Sequence, residues 1–148
     1  MLLSQFVLIM TLHDYQKRCA DFISAHTNCI LYVDMGLGKT AAVLEYIRRS
    51  NPSTVLIVAP KRVAENNWHT EAKKWGLDEI YQKMTVCAGT AKKRGLALKD
   101  AAHPYKIISS DNIKDCKGLS FDLLVIDELT SFKSIDAART KAVMSIKA

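Results

Sequence analysis

The stretch ILYVDMGLGKT, Ile30 to Thr40, decides how the rest of the chain reads. Ile30 to Val33 form an apolar run of strand type, and Gly36 and Gly38 then let the backbone curl until its N–H groups converge on one point. Such a point suits a phosphate. Lys39 adds a positive charge placed for the β- and γ-phosphates, Thr40 offers a hydroxyl to Mg²⁺, and a helix starting there turns its positive dipole end on the same anion. Met35, Gly36, Leu37, Gly38, Lys39, Thr40 and Ala41 are therefore the candidate nucleotide-binding set, with ATP and Mg²⁺ as the expected ligands. Val33 stands where the full spacing has its first glycine, so the match rests on Gly-Leu-Gly-Lys-Thr. The bland alternative is a glycine-rich turn that happens to precede a lysine.

A phosphate loop needs an acidic partner, and FDLLVIDE, Phe121 to Glu128, has the form of one: an apolar strand delivering carboxylates to the C-terminal edge of a sheet. Asp127 is placed to hold Mg²⁺, directly or through water, and Glu128 to polarise the attacking water as general base. Glu128 and Lys39 are thus the candidate catalytic residues. A strand ending in Asp-Glu means little alone; after a Gly-x-Gly-Lys-Thr loop it completes a nucleotide site.

Around these two motifs the chain alternates. Leu12 to His26 reads as a helix with Tyr15, Cys19, Phe22 and Ile23 on one face, Asn28 to Val33 as a strand, and Thr40 to Arg49 as a helix closed by Ser50-Asn51-Pro52. TVLIVA, Thr54 to Ala59, is a nearly continuous β-branched run of the kind found in parallel strands covered on both faces, and Pro60 stops it. A helix over Val63 to Trp75 ended by Gly76, a strand over Met84 to Ala88, a basic helix over Thr90 to Ala102 and strands over Tyr105 to Ser109 and Phe121 to Ile126 follow. This order predicts an α/β fold, a mostly parallel central sheet with helices on both faces.

With 148 residues, 49% of them hydrophobic, the chain is sized for one domain with a substantial core. Its net charge of +6 comes from Lys and Arg spread along the sequence, which permits a polyanionic partner without requiring one. The four cysteines form no Cys-x-x-Cys pair, and the four histidines lie at no metal-ligand spacing, so neither a disulfide framework nor a zinc site is expected. MLLSQFVLIM, residues 1 to 10, lacks a positive n-region and a cleavage site and is too short to span a bilayer. The expectation is a cytoplasmic protein with no membrane partner, residues 1 to 11 forming an N-terminal extension and 12 to 148 the domain.

The succession LHDYQ, DMGLGKT, VLIVAPKRVAENNWHTEAKKW, IISSD and VIDELTSFKS resembles the first RecA-like lobe of superfamily 2 helicases, in the Swi/Snf-like DNA translocase branch with its compact virus-encoded members. The Asn67-Trp68 and Lys74-Trp75 pairs, Lys133 and the Gly89-to-Arg94 spacing are its most specific marks after the phosphate loop. The resemblance implies that Gln16, with Tyr15 beside it, reads the adenine edge. It implies that Pro60, Lys61, Ser109 and Ser110 touch a nucleic-acid backbone, as small hydroxyls and N–H groups do when they position a strand without reading it. Duplex DNA is the implied partner. Leu129-Thr130 replace the family's Ala-His after the Asp-Glu. The chain ends at Ala148, before the next motif of the first lobe, and the second lobe with its arginine finger is implied as a further partner, in the same or another chain. Trp68 and Trp75 at helical spacing read as core before they read as a base-stacking platform, and Lys92-Lys93-Arg94 as a solvated basic helix or a phosphate patch.

Three functions are compatible with these residues: the ATP-binding lobe of a DNA-dependent ATPase, a non-hydrolysing ATP- or DNA-binding module, and a small-molecule kinase. The kinase leaves the Gln16 and Pro60 segments unexplained. Replacing Lys39 by alanine removes a charge-assisted phosphate contact worth about 1.5 to 3 kcal/mol, so Mg·ATP affinity should fall roughly ten- to a hundredfold. Calorimetry on wild type and Lys39→Ala checks this, and equal affinities would remove the nucleotide site.

Overall fold

Val55–Ala59 (β1), the β-branched run VLIVA, has all five side chains buried, as a strand must when sheet neighbours flank it and other elements cover both faces. The computed structural model describes residues 18, 20, 21 and 39–127. These belong to two compact units, Met1–Asn51 with Thr70–Tyr81, and Pro52–His69 with Gln82–Ala148.

The second unit holds the sheet. Met84–Cys87 (β2), Tyr105–Ser109 (β3) and Leu123–Ile126 (β4) join β1 in the order β2-β3-β1-β4, every pairing parallel. The register sets Val58 opposite both Ile108 and Ile126. Leu56, Val58, Cys87 and Ile108 form one core face with Ile113, Cys116 and Phe121, and Ala97 and Leu98 of helix Ala91–Lys99 (α5) pack against it. Helix Lys61–Asn66 (α2) packs on β3 and β1. This is the α/β arrangement that the alternation of elements predicts, in accord with the RecA-like lobe that the resemblance implies.

Lys106 is the exception in that core. It is 4% exposed, and its ammonium donates to the carbonyls of Ala97 and Asp100 at 2.7 and 2.6 Å. Burial pulls its pKa below the ordinary lysine value, with Cys87 and Asp100 pulling the other way. The lysine thereby ties β3 to the C-terminal end of α5, where exposed carbonyls favour a cation.

In the first unit, helix Lys39–Ser50 (α1) buries Ala41, Ala42, Leu44 and Ile47, and Asn51, in the left-handed region at φ 46°, ends it by donating to Ile47 at 2.8 Å. Glu45 is buried too, and both Arg48 and Arg49 donate to it through Nε at 2.9 and 3.0 Å. Burial alone would raise the Glu45 pKa, but the two guanidiniums outweigh it and hold the carboxyl below its usual range. Arg49 also pairs with Asp21. Residues 18, 20 and 21 are helical, in accord with the helix expected over Leu12 to His26; the rest of that helix, the strand Asn28 to Val33 and the glycine loop lie outside the described residues.

The sequence expects one helix from Val63 to Trp75, but there are two, α2 and Trp68–Lys74 (α3), meeting at Asn67. At the junction Asn66 Nδ2 donates to the Arg62 carbonyl at 3.0 Å, a side-chain bond of the kind that competes with the helical ladder. Gly76 does terminate the segment, at φ 72°, with Leu77 N–H on the Ala72 carbonyl and Gly76 N–H on that of Lys73, the paired bonds of a Schellman ending. The basic helix is shorter than Thr90 to Ala102 because Thr90 is its N-cap, accepting from Lys93, and the extended Asp100 is its C-cap. β4 starts at Leu123 instead of Phe121, since Asp122 is tied to Thr54 Oγ1 and Ser53 N–H before the ladder begins. Helix Asp78–Lys83 (α4) and the 3₁₀ helix Ser110–Cys116 have no counterpart in the sequence reading.

Burial pushes the thiols of Cys87 and Cys116 up to about 11 and about 12. The unfolded thiols release protons near the ordinary value, so the stability linked to these groups is complete below about pH 8.5 and is lost as pH rises through the folded values. At about pH 8, iodoacetamide should spare both thiols in the native protein and label both in urea, as read by peptide mapping. The urea midpoint should fall as pH is raised above about 9. Rapid native labelling of either thiol would contradict their burial.

Candidate functional site

In a parallel sheet all strands end on the same edge, and that edge gathers the candidate residues of the second unit. Ser109, the last residue of β3, lies opposite Ala59, the last of β1, so Ser109-Ser110 and Pro60-Lys61 leave the sheet side by side. On the other flank of β1, Asp127 follows β4 directly, and its N–H donates to the Val58 carbonyl at 2.7 Å, extending the ladder by one bond. Three strand ends thus place two serines, a proline-lysine pair and a carboxylate in one row.

The members differ in how they are held. Ser109 and Ser110 are each 5% exposed, and Ser109 Oγ accepts the Asp111 N–H at 3.2 Å as N-cap of the 3₁₀ helix. Pro60 starts α2, its carbonyl accepting from Ala64 at 2.8 Å, and Lys61 is exposed. Asp127 is half-buried, and one carboxylate oxygen, Oδ2, accepts the indole N–H of Trp68 at 3.3 Å. Oδ1 takes no hydrogen bond from the described residues. Those residues contain no group of three or more His, Cys, Asp or Glu able to hold a metal. A single carboxylate with one oxygen unbonded among the described residues fits Mg²⁺, which binds through one or two carboxylates together with substrate phosphates and water.

In the first unit, Lys39, Thr40 and Ala41 form the first turn of α1, with Thr40 half-buried and Ala41 4% exposed. Tyr15, Gln16, Met35, Gly36, Leu37, Gly38 and Glu128 lie outside the described residues. Trp68 is 2% exposed and so forms no open stacking platform, while the half-buried Trp75, just past α3, donates to Glu71 at 2.9 Å. Of the basic triplet, Lys92 and Lys93 are exposed, while Arg94 is committed to Asp115 at 2.6 Å and to the Gly89 carbonyl at 2.9 Å. That explains the Gly89-to-Arg94 spacing. Gly89 has φ 89°, which disfavours any side chain, and the arginine clamps this turn to the 3₁₀ helix that follows Ser109. The bond from Trp68 to Asp127 is what the sequence reading missed; a tryptophan on an apolar helix face announces burial but not an indole acceptor 59 residues away.

The model of the SNF2-related domain matches residues 10–148. The chain belongs to that family. Similar proteins include p41 of the Acyrthosiphon pisum secondary endosymbiont phage 1, 33% identical over 70% of this chain and 25% of its own length. The chromatin remodeling factor mit1 of Schizosaccharomyces pombe is 31% identical over 87% of this chain and 9% of its own. The uncharacterized ATP-dependent helicase MG018 of Mycoplasma genitalium is 30% identical over 94% and 14%. The chain therefore spans a quarter or less of each of these relatives. The family match agrees with the Swi/Snf-like resemblance and with an N-terminal lobe of RecA-like fold. No helix among the described residues is long and apolar enough to cross a membrane.

Ser109 and Lys61 should separate on substitution. Ser109→Ala removes a cap and should cost about 1 kcal/mol of stability, whereas Lys61→Ala should leave the urea midpoint nearly unchanged. If Lys61 touches a nucleic-acid backbone, as the resemblance implies, Lys61→Ala should weaken duplex-DNA binding equally for different sequences and lower the salt slope by about one. Fluorescence anisotropy across a salt series checks this, and an unchanged slope would take Lys61 out of the interface.

Proposed function

We propose that this chain is the ATP-binding first lobe of a DNA-dependent ATPase or translocase of the Swi/Snf-like type, one that needs a second lobe for efficient hydrolysis. The observation that carries the reading is the shared sheet edge, on which Asp127 stands in one row with Pro60, Lys61, Ser109 and Ser110. A group that responds to nucleotide and groups that suit a nucleic-acid backbone are then ends of adjacent strands, so a shift at one strand end is passed to the next through the ladder. Membership of the SNF2-related family and likeness to an ATP-dependent helicase and a chromatin remodeling factor support it.

In this reading Lys39 supplies charge to the β- and γ-phosphates, Thr40 and Asp127 are the Mg²⁺ ligands, and the metal when bound neutralises charge on the phosphates. Gln16 and Tyr15 hold the adenine, while Met35, Gly36, Leu37, Gly38 and Ala41 line the phosphates with main chain. Glu128 accepts a proton from the attacking water. Lys61 and the Ser109-Ser110 pair bind duplex phosphates, an interaction that orients the DNA without selecting its sequence. An arginine on the γ-phosphate is worth roughly 10³ to 10⁵ in rate and comes in this reading from a second lobe. Arg48 and Arg49 are already committed to Glu45.

This chain by itself should accordingly bind nucleotide but turn it over very slowly, with no stimulation by duplex DNA. Phosphate release would be measured with and without DNA, with Glu128→Gln as the blank. DNA-stimulated turnover far above that blank would overturn the need for a separate lobe.

A further inference from the structure

We infer that Trp68 is a positioning residue for the metal-side carboxylate: its indole N–H holds Asp127 Oδ2 and leaves Oδ1, which accepts no bond from the described residues, for Mg²⁺. The inference rests on the proposed nucleotide site and adds to it a residue that touches neither nucleotide nor metal. Trp68 is 2% exposed, so its ring is fixed by packing, and its only polar atom is a donor. The acceptor is a carboxylate oxygen at 3.3 Å, on the residue just past β4. Asp127 is held twice, since its N–H donates to the Val58 carbonyl at 2.7 Å while the indole holds the side chain. A carboxylate just past a strand end has two soft torsions, and one hydrogen bond to a rigid donor removes most of that freedom before any ligand arrives. Outer partners of this kind commonly change metal affinity or activity about 10- to 100-fold when they are removed. Trp75 supplies the contrast within the same protein, because its indole donates to Glu71 one helical turn away.

The test uses Trp68→Phe, which keeps an aromatic ring in the core and deletes the donor. ATP affinity would be measured by calorimetry with Mg²⁺ and with EDTA for wild type, Trp68→Phe, Asp127→Asn and the double variant. Trp68→Phe should match wild type in EDTA and lose about tenfold of the gain that Mg²⁺ gives; the double variant should be no worse than Asp127→Asn. In wild-type protein labelled with ¹⁵N, the Trp68 indole N–H resonance should move on adding Mg·ATP and stay in place with ATP in EDTA, while that of Trp75 stays in place in both. This spectrum decides the matter even where Trp68→Phe folds poorly. A full Mg²⁺ gain in Trp68→Phe beside a lost gain in Asp127→Asn, or an unmoved Trp68 resonance, overturns the positioning role and leaves the nucleotide site standing. A full Mg²⁺ gain in Asp127→Asn removes the metal assignment, and the positioning role with it.

Discussion

Everything described in the second unit depends on β1 being buried from both sides and both edges. Val55, Leu56, Ile57, Val58 and Ala59 have no exposed surface, and each larger side chain removed from water contributes about 1.5 to 3 kcal/mol. A strand in this position satisfies its backbone only through two neighbours, and β3 and β4 supply them in parallel register. Parallel pairing then forces the three chain exits onto one edge. The candidate site is a consequence of that constraint, since a strand that ran the other way would send Ser109 or Asp127 to the opposite end.

At the edge the backbone stops serving the sheet and side chains take over. Ser109 caps the 3₁₀ helix, Pro60 opens α2 and Asp127 adds one further ladder bond before leaving. Each therefore has a structural task besides any contact with a ligand, and a loss of binding on mutation is informative only beside a stability measurement. Lys61, exposed and without such a task among the described contacts, is the cleaner probe.

The charged groups show where basic residues are already committed. Arg48 and Arg49 neutralise a buried glutamate, Arg94 clamps Gly89 to Asp115, and Lys106 closes the end of α5 from inside the core. A positive net charge spread through the sequence says nothing about this division. Buried or paired cations cannot be lent to a polyanion without leaving a carboxylate or carbonyl unsatisfied, which costs about 1 to 3 kcal/mol or more. That leaves residues such as Lys61, Arg62, Lys92 and Lys93 as exposed positive groups near the described strand ends and helices.

What the sequence by itself determined is the set of elements written in repeated local signals: the run VLIVA, the strand Tyr105 to Ser109 found residue for residue, the helix after Lys39, and the glycine end at Gly76 of the segment that starts at Val63. It also carried the family, through the succession of segments from LHDYQ to VIDELTSFKS that resembles it. Tertiary structure alone decided the strand order, the burial of Lys106 and the bond from Trp68 to Asp127. These depend on partners far apart in the chain. A residue's own neighbours report its periodicity and its type, whereas the acceptor for a buried indole or ammonium is chosen only when distant strands and helices pack.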